Sequence, residues 1–235
     1  MADQDTVRLG LPLLQPAQAQ KHVTVNEALG RLDGLVNLVV ESTRRTTPPT
    51  VIEGECWAVP AGAVNAWEGR SGQIAIGANG GWVFAKPQAG QRAFVRDAGV
   101  PVIHDGRGFR GGALTMGQLG AGMNVRLSEV ELSVGKGTTI TTGLIVPANA
   151  MVIGCNARVS EKLGGTVKTW ALGHTGATDR FGRGLGTGEG SYCTGLISPT
   201  SYYSPDPIIM TATDGAFDGG TVRIALHWLE LVLPD

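Results

Sequence analysis

The chain has 235 residues, with 19 basic against 20 acidic side chains and a formal net charge of -1; it therefore carries no basic field for broad nucleic-acid binding. Glycine, at 36 residues and with charged residues at only 17%, is about twice its usual share and lacks the Gly-X-Y period of collagen. The missing period excludes a collagen-like chain, and that length and composition predict a mainly β protein of one large or two small domains, its short strands joined by tight turns.

Residues 1–23 read as an extended docking arm. Pro12 and Pro16 discourage helix, and QPAQAQ is polar and low in complexity. Residues 24–45 read as one amphipathic helix. Thr24-Val25-Asn26-Glu27 fits a capping box, and Arg44, Arg45 and Pro48-Pro49 supply a stop. Val25, Ala28, Leu32, Leu35 and Val39 alternate spacings of three and four, the seam of a heptad repeat. Leu29, Val36 and Val40 widen it. Such a face needs a partner. It would pack either against copies of itself in a bundle or against the sheet of its own domain.

Residues 46–110 read as a small β-rich domain. TVIEGECWAV, QIAIGA, GWVFAKP and RAFVRD each offer a short strand. Trp57, Trp67 and Trp82 would supply the large buried surfaces that so small a domain needs, or else an aromatic face for sugars. Residues 111–124 are glycine-rich and weakly patterned, as a linker between domains would be.

Residues 125–235 read as a C-terminal β-sandwich or jelly roll, with strand patterns at roughly ten-residue intervals. The closing strand is the clearest: Val222, Ile224, Leu226, Trp228 and Leu231 are set against Arg223, His227 and Glu230. The segment from Gly173 to Asp206 reads as a long loop carrying the most exposed chemistry. Trp170, His174, Asp179, Arg180, Tyr192, Tyr202, Tyr203 and Asp206 lie in it or at its edge. Loops on a rigid scaffold collect binding residues, and tyrosine offers a flat apolar face with a hydroxyl, suited to sugar or protein surfaces.

Catalytic patterns are missing. The four histidines, His22, His104, His174 and His227, have no metal-ligand spacing with a second His or Cys. No nucleophile elbow, HExxH helix or P-loop occurs. Asp214-Gly215 and Asp218-Gly219 read as turns. Cys56, Cys155 and Cys193, odd in number and scattered, read as small buried side chains. Neither a secretory leader nor a membrane-spanning run is visible, so folding in the cytoplasm is expected, with no cofactor, metal or membrane insertion.

The stretches LPLLQPAQAQKHVTVNEALGRLDGLV, PPTVIEGECWAV, WEGRSGQIA and GGWVFAKPQAG, with the RD that follows, resemble a domain of unknown function. It is found at the N-terminus of tail-fibre and spike proteins of tailed phages, prophages and gene transfer agents. The resemblance spans residues 9–110. The region from GLIVPANAMVIG through RFGRGLG to GGTVRIALHWLEL looks like the fibre-tip domains that often follow it. The resemblance implies a structural component of a virion or phage-like particle, assembled in the bacterial cytoplasm. It further implies a homotrimer whose N-terminal region meets other virion (tail or capsid) proteins and whose C-terminal region meets host surface polysaccharide. It supplies no catalytic residues, so no enzyme is expected. A structural adaptor docking another fibre protein and a capsule polysaccharide depolymerase are the competing readings.

Overall fold

A single α-helix stands among the described residues of a mainly β chain. The computed structural model describes residues 5–14 and 21–234 and divides into two units, Met1–Met116 and Gly117–Asp235.

In the first unit α1 spans Lys21–Leu35. It begins before the expected cap and ends well short of residue 45. Thr24 lies inside it, so the capping box does not form; Glu27 instead pairs with Arg31 at 2.8 Å, one turn on. The stop is not the proline pair. Val36 N–H still reaches the Leu32 carbonyl at 3.0 Å, then Asn37 turns to φ 46. The carbonyls freed there are taken by Arg8, whose guanidinium donates to Asp33 at 3.0 Å, Gly34 at 2.8 Å and Asn37 at 2.9 Å. A cation over the last carbonyls also complements the helix dipole.

The described part of the arm is therefore folded back rather than extended. Asp5 bridges Pro12, and the Asp33 carboxylate, only 4% exposed, accepts from Leu9 N–H (2.6 Å), Arg8 N–H (3.1 Å) and the Thr6 hydroxyl (2.8 Å). Asn26 holds Leu14 through both its amide oxygen, at 2.9 Å, and its amide nitrogen, at 3.0 Å. Expectations for residues 1–4 and 15–20 fall outside the described residues.

Seven short strands complete the core of this unit: β1 (Val39–Val40), β2 (Cys56–Ala58), β3 (Ile74–Ala78), β4 (Gly81–Ala85), β5 (Arg92–Val95), β6 (Val100–His104) and β7 (Phe109–Gly111). They form two sheets, β2-β3-β4 and β1-β5-β6-β7, the latter opened by a parallel β1–β5 pair. Leu38, Val40, Cys56, Ile74, Ile76, Val95 and Val102 share one core. The tryptophans make a second: Trp67 is fully buried, 6.0 Å from Trp57 and 5.3 Å from Trp82 between ring centroids. They are packing, not a sugar face. The glycine-rich segment 111–124 is more ordered than a linker, holding β8 (Ala113–Met116) and the first residues of β9 (Gly122–Ser133), and the two units divide within it.

The second unit adds β10 (Lys136–Gly137), β11 (Thr139–Val146), β12 (Ala150–Glu161), β13 (Trp170–His174), β14 (Ala177–Leu185), β15 (Tyr192–Cys193), β16 (Leu196–Tyr202), β17 (Asp206–Ala212), β18 (Phe217–Asp218) and β19 (Thr221–Val232). One antiparallel sheet runs β11-β17-β13-β14. The other runs β15-β12-β19-β9, with β16 also paired to β12. A small β10–β18 pair stands apart. Alternate residues of both sheets enter one core, among them Val146, Val152, Trp170, Leu172, Met210, Ile224 and Leu226. Period-two alternation in sequence thus becomes one buried and one outward face on each sheet. Leu231 departs from the expected inner set: its parity puts it on the outer face, 78% exposed.

Candidate functional site

The residues expected to bind do not form one site. Trp170 is core, 1% exposed, its indole N–H donating to the Gly186 carbonyl at 2.9 Å. Asp179 lies exposed on β14, and Tyr203 is exposed beyond β16. The supposed loop is itself largely sheet, since β13, β14, β15 and β16 cross it.

Four of the remaining candidates do meet. His174 closes β13 and Asp206 opens β17, and the His174 Nδ1–Asp206 carboxylate distance is 2.7 Å. The same carboxylate accepts Thr175 N–H at 3.0 Å. Tyr202 stands edge-on to the His174 ring, 5.2 Å between centroids. Arg180 donates to the Thr200 hydroxyl at 2.6 Å. Burial pushes the Tyr202 phenol above its usual range; nearby Arg180 opposes that and Asp206 adds to it. Asp206 thereby ties the tight β13–β14 turn to β17. The arrangement orients His174, but none of its hydrogen bonds goes to a nucleophilic hydroxyl or thiol. Its evident work is to fix the turn.

Tyr192 is elsewhere, on the outer face of the β15-β12-β19-β9 sheet. Register lines up Tyr192, Arg158, Arg223 and Glu131 in one row across four strands. The next outward row has Asn156, Ala225 and Glu129. Tall side chains around the short Ala225 leave a groove of about 880 Å3. Arg158 lies 5.9 Å from the centre of the Tyr192 ring, Arg223 pairs with Glu131, and Asn156 Nδ2 is 3.0 Å from His227 Nε2. Of this set only Tyr192 stood out in the sequence. The alternation of Arg223 and His227 was visible there, but the row exists only once strand register is known.

Residues 25–110, less than half of the chain, match a family described as a protein of unknown function, DUF2793. That match runs from within α1 into β7 of the first unit. No curated protein matches the chain. Among solved structures the chain is similar to one in the cyanophage Pam1 capsid asymmetric unit, at 19% identity and a TM-score of 0.35, over 50% of this chain and 91% of that one. It is also similar to one in the acid-stable capsid of Helicobacter pylori bacteriophage KHP30, at 11% identity and a TM-score of 0.37, over 48% of this chain and 96% of that one. At such values neither likeness carries an argument about this chain.

A second candidate surface lies on α1. Val25, Ala28 and Leu32 of the expected seam are exposed, and Val36, one residue past the helix end and four beyond Leu32, prolongs them. The seam's last two members are diverted: Leu35 packs on the unit's core and Val39 belongs to β1. The inward face carries Asp33 and Gly34 instead, where a Cβ on Gly34 would stand 2.7 Å from Ile76 Cδ1. The helix thus packs by Leu35 together with small and polar residues and turns the rest of its apolar stripe out.

The three cysteines are buried and unpaired. Burial pushes the Cys56 thiol up to about 11, with Arg8 opposing, and the Cys155 thiol up to about 12. Neither is poised as a nucleophile.

Proposed function

We propose that the protein is a structural fibre or spike component of a phage or gene-transfer-agent particle, a homotrimer that attaches the particle to host cell-surface polysaccharide. The observation that carries this reading is the outward apolar stripe of α1. A helix held by a polar clasp on its inner side, yet with Val25, Ala28, Leu32 and Val36 exposed along one outer stripe, suits association with copies of itself. The number three comes from the fibre resemblance of residues 9–110.

The second unit suits the tip. Taking its eight long strands in chain order, the sheets run first-eighth-third-sixth and second-seventh-fourth-fifth, which supports a jelly roll, an architecture used by lectin and capsid domains. A groove lined by an exposed tyrosine, an amide and charged side chains is suited to a sugar chain. Three such grooves on one particle would add through effective concentration.

The adaptor reading has its own support. The same outer face carries exposed Leu127, Met151, Leu196 and Leu231, which suit a protein partner. Binding of labelled full-length protein to intact and capsule-stripped host cells separates the two. Capsule-dependent binding is expected; no binding to either kind of cell would overturn the receptor reading in favour of the adaptor.

A further inference from the structure

The row Tyr192–Arg158–Arg223–Glu131 contains a juxtaposition that stability alone does not favour. Arg158 and Arg223 are directly opposite across the β12–β19 pair, and like charges so placed are destabilising. Glu131 relieves Arg223. Among the described residues Arg158 has no carboxylate partner, only the face of Tyr192. That contact holds Arg158 beside Tyr192, and both line the groove. At the other side of Ala225, Glu129 is exposed and likewise without an ion pair among the described residues, and Asn156 adds an amide.

Resting on the reading of the second unit as a polysaccharide-binding tip, we infer that this groove is a subsite for an acidic saccharide, one whose sugar bears a carboxylate. The carboxylate sits against Arg158, with the second positive charge of Arg223 behind it, in the forked geometry that arginine offers a carboxylate. Tyr192, 65% exposed, presents its ring to the C–H face of the same or the next sugar. Glu129 accepts hydroxyl protons, and Asn156 both donates and accepts along the neighbouring residue of the chain. The volume of the groove lies within the range of ligand sites, roughly 300–1,000 Å3. A neutral saccharide would leave Arg158 uncompensated; a polyanion without hydroxyls would meet Glu129 and Glu131.

The test is calorimetric titration of the full chain with a panel of uronate- and sialate-bearing oligosaccharides, each beside its carboxyl-reduced neutral counterpart. At least one acidic member should bind about tenfold or more tightly than its neutral counterpart, as loss of a charge-assisted fork predicts. Arg158→Gln should erase that difference, Arg158→Lys restore part of it, and Tyr192→Ala weaken both forms, none with a large fall in melting temperature, because both side chains are exposed and Arg158→Gln also removes a like-charge pair. Equal affinity for acidic and neutral forms, or an unaltered Arg158→Gln variant, would overturn the inference. If the protein binds encapsulated cells but no carboxylated saccharide, the subsite falls and the receptor reading stands; if it binds neither, both fall.

Discussion

The two units expose opposite chemistry. In the second, apolar residues fill the interior and the outer sheet face carries a charged and aromatic row. In the first, α1 largely reverses the usual arrangement: Asp33, Gly34 and Asn26, with Leu35, face the unit's own chain, while Val25, Ala28, Leu32 and the following Val36 are exposed. Apolar surface is non-directional and gains by being covered, whereas a row of guanidinium, phenol, amide and carboxylate gains by geometry. Under the proposed function the exposed stripe of the helix is the assembly surface and the sheet row the recognition surface.

This contrast makes stability respond differently in each unit. Leu226→Ala in the core of the second should cost about 4 kcal/mol, because Leu226 is fully buried and its loss leaves a cavity. Chemical denaturation of the variant measures it, and a loss under about 1 kcal/mol would mean the two sheets do not share a tight core. In the first unit the comparable effect comes from a polar residue. Asp33→Ala removes the acceptor of three arm hydrogen bonds and should cost about 3 kcal/mol; proteolysis should then cut within residues 5–14 first.

A smaller effect belongs to Asp105. Burial alone would raise its pKa, but the N–H groups of Gly108 and Arg107 and the Arg110 side chain hold it down to about 2, from 3.8. A depressed carboxylate stabilises the folded state above its unfolded pKa. That contribution, about 2 kcal/mol, is lost as the pH falls from about 4 through about 2. Denaturation measured at pH 7 and pH 2 should show it, and Asp105→Asn should remove that part of the pH dependence.

Much of the second unit was legible because half-buried strands alternate. The closing strand, Thr221–Val232, has Val222, Ile224, Leu226 and Trp228 buried as their parity requires. The segment after Trp170 was not legible. Its glycines resemble a loop, yet Gly173 lies in β13 because a Cβ there would stand 2.2 Å from the Ala177 carbonyl oxygen: crowding between strands and flexibility leave the same residue in the sequence. The end of α1 was hidden for a similar reason. Leu35 and Val39 continue the heptad spacing by chance of position, one packing on the core and the other pairing in a strand. The true terminator, Arg8, lies 25 or more residues away in the chain. Of the site, the tyrosine was visible by type, but Arg158, Arg223 and Glu131 acquire meaning only through register between strands distant in sequence.

The most direct test of the central claim, that the outward stripe of α1 joins copies of the chain, is the mass of the full-length protein in solution by sedimentation velocity, with Leu32→Asp beside it. The account predicts a particle of three times the 24.4 kDa chain mass, falling to a folded monomer in the variant, because Leu32 is exposed within its own unit. A wild-type monomer, or a Leu32→Asp protein that keeps the oligomeric mass, would contradict it.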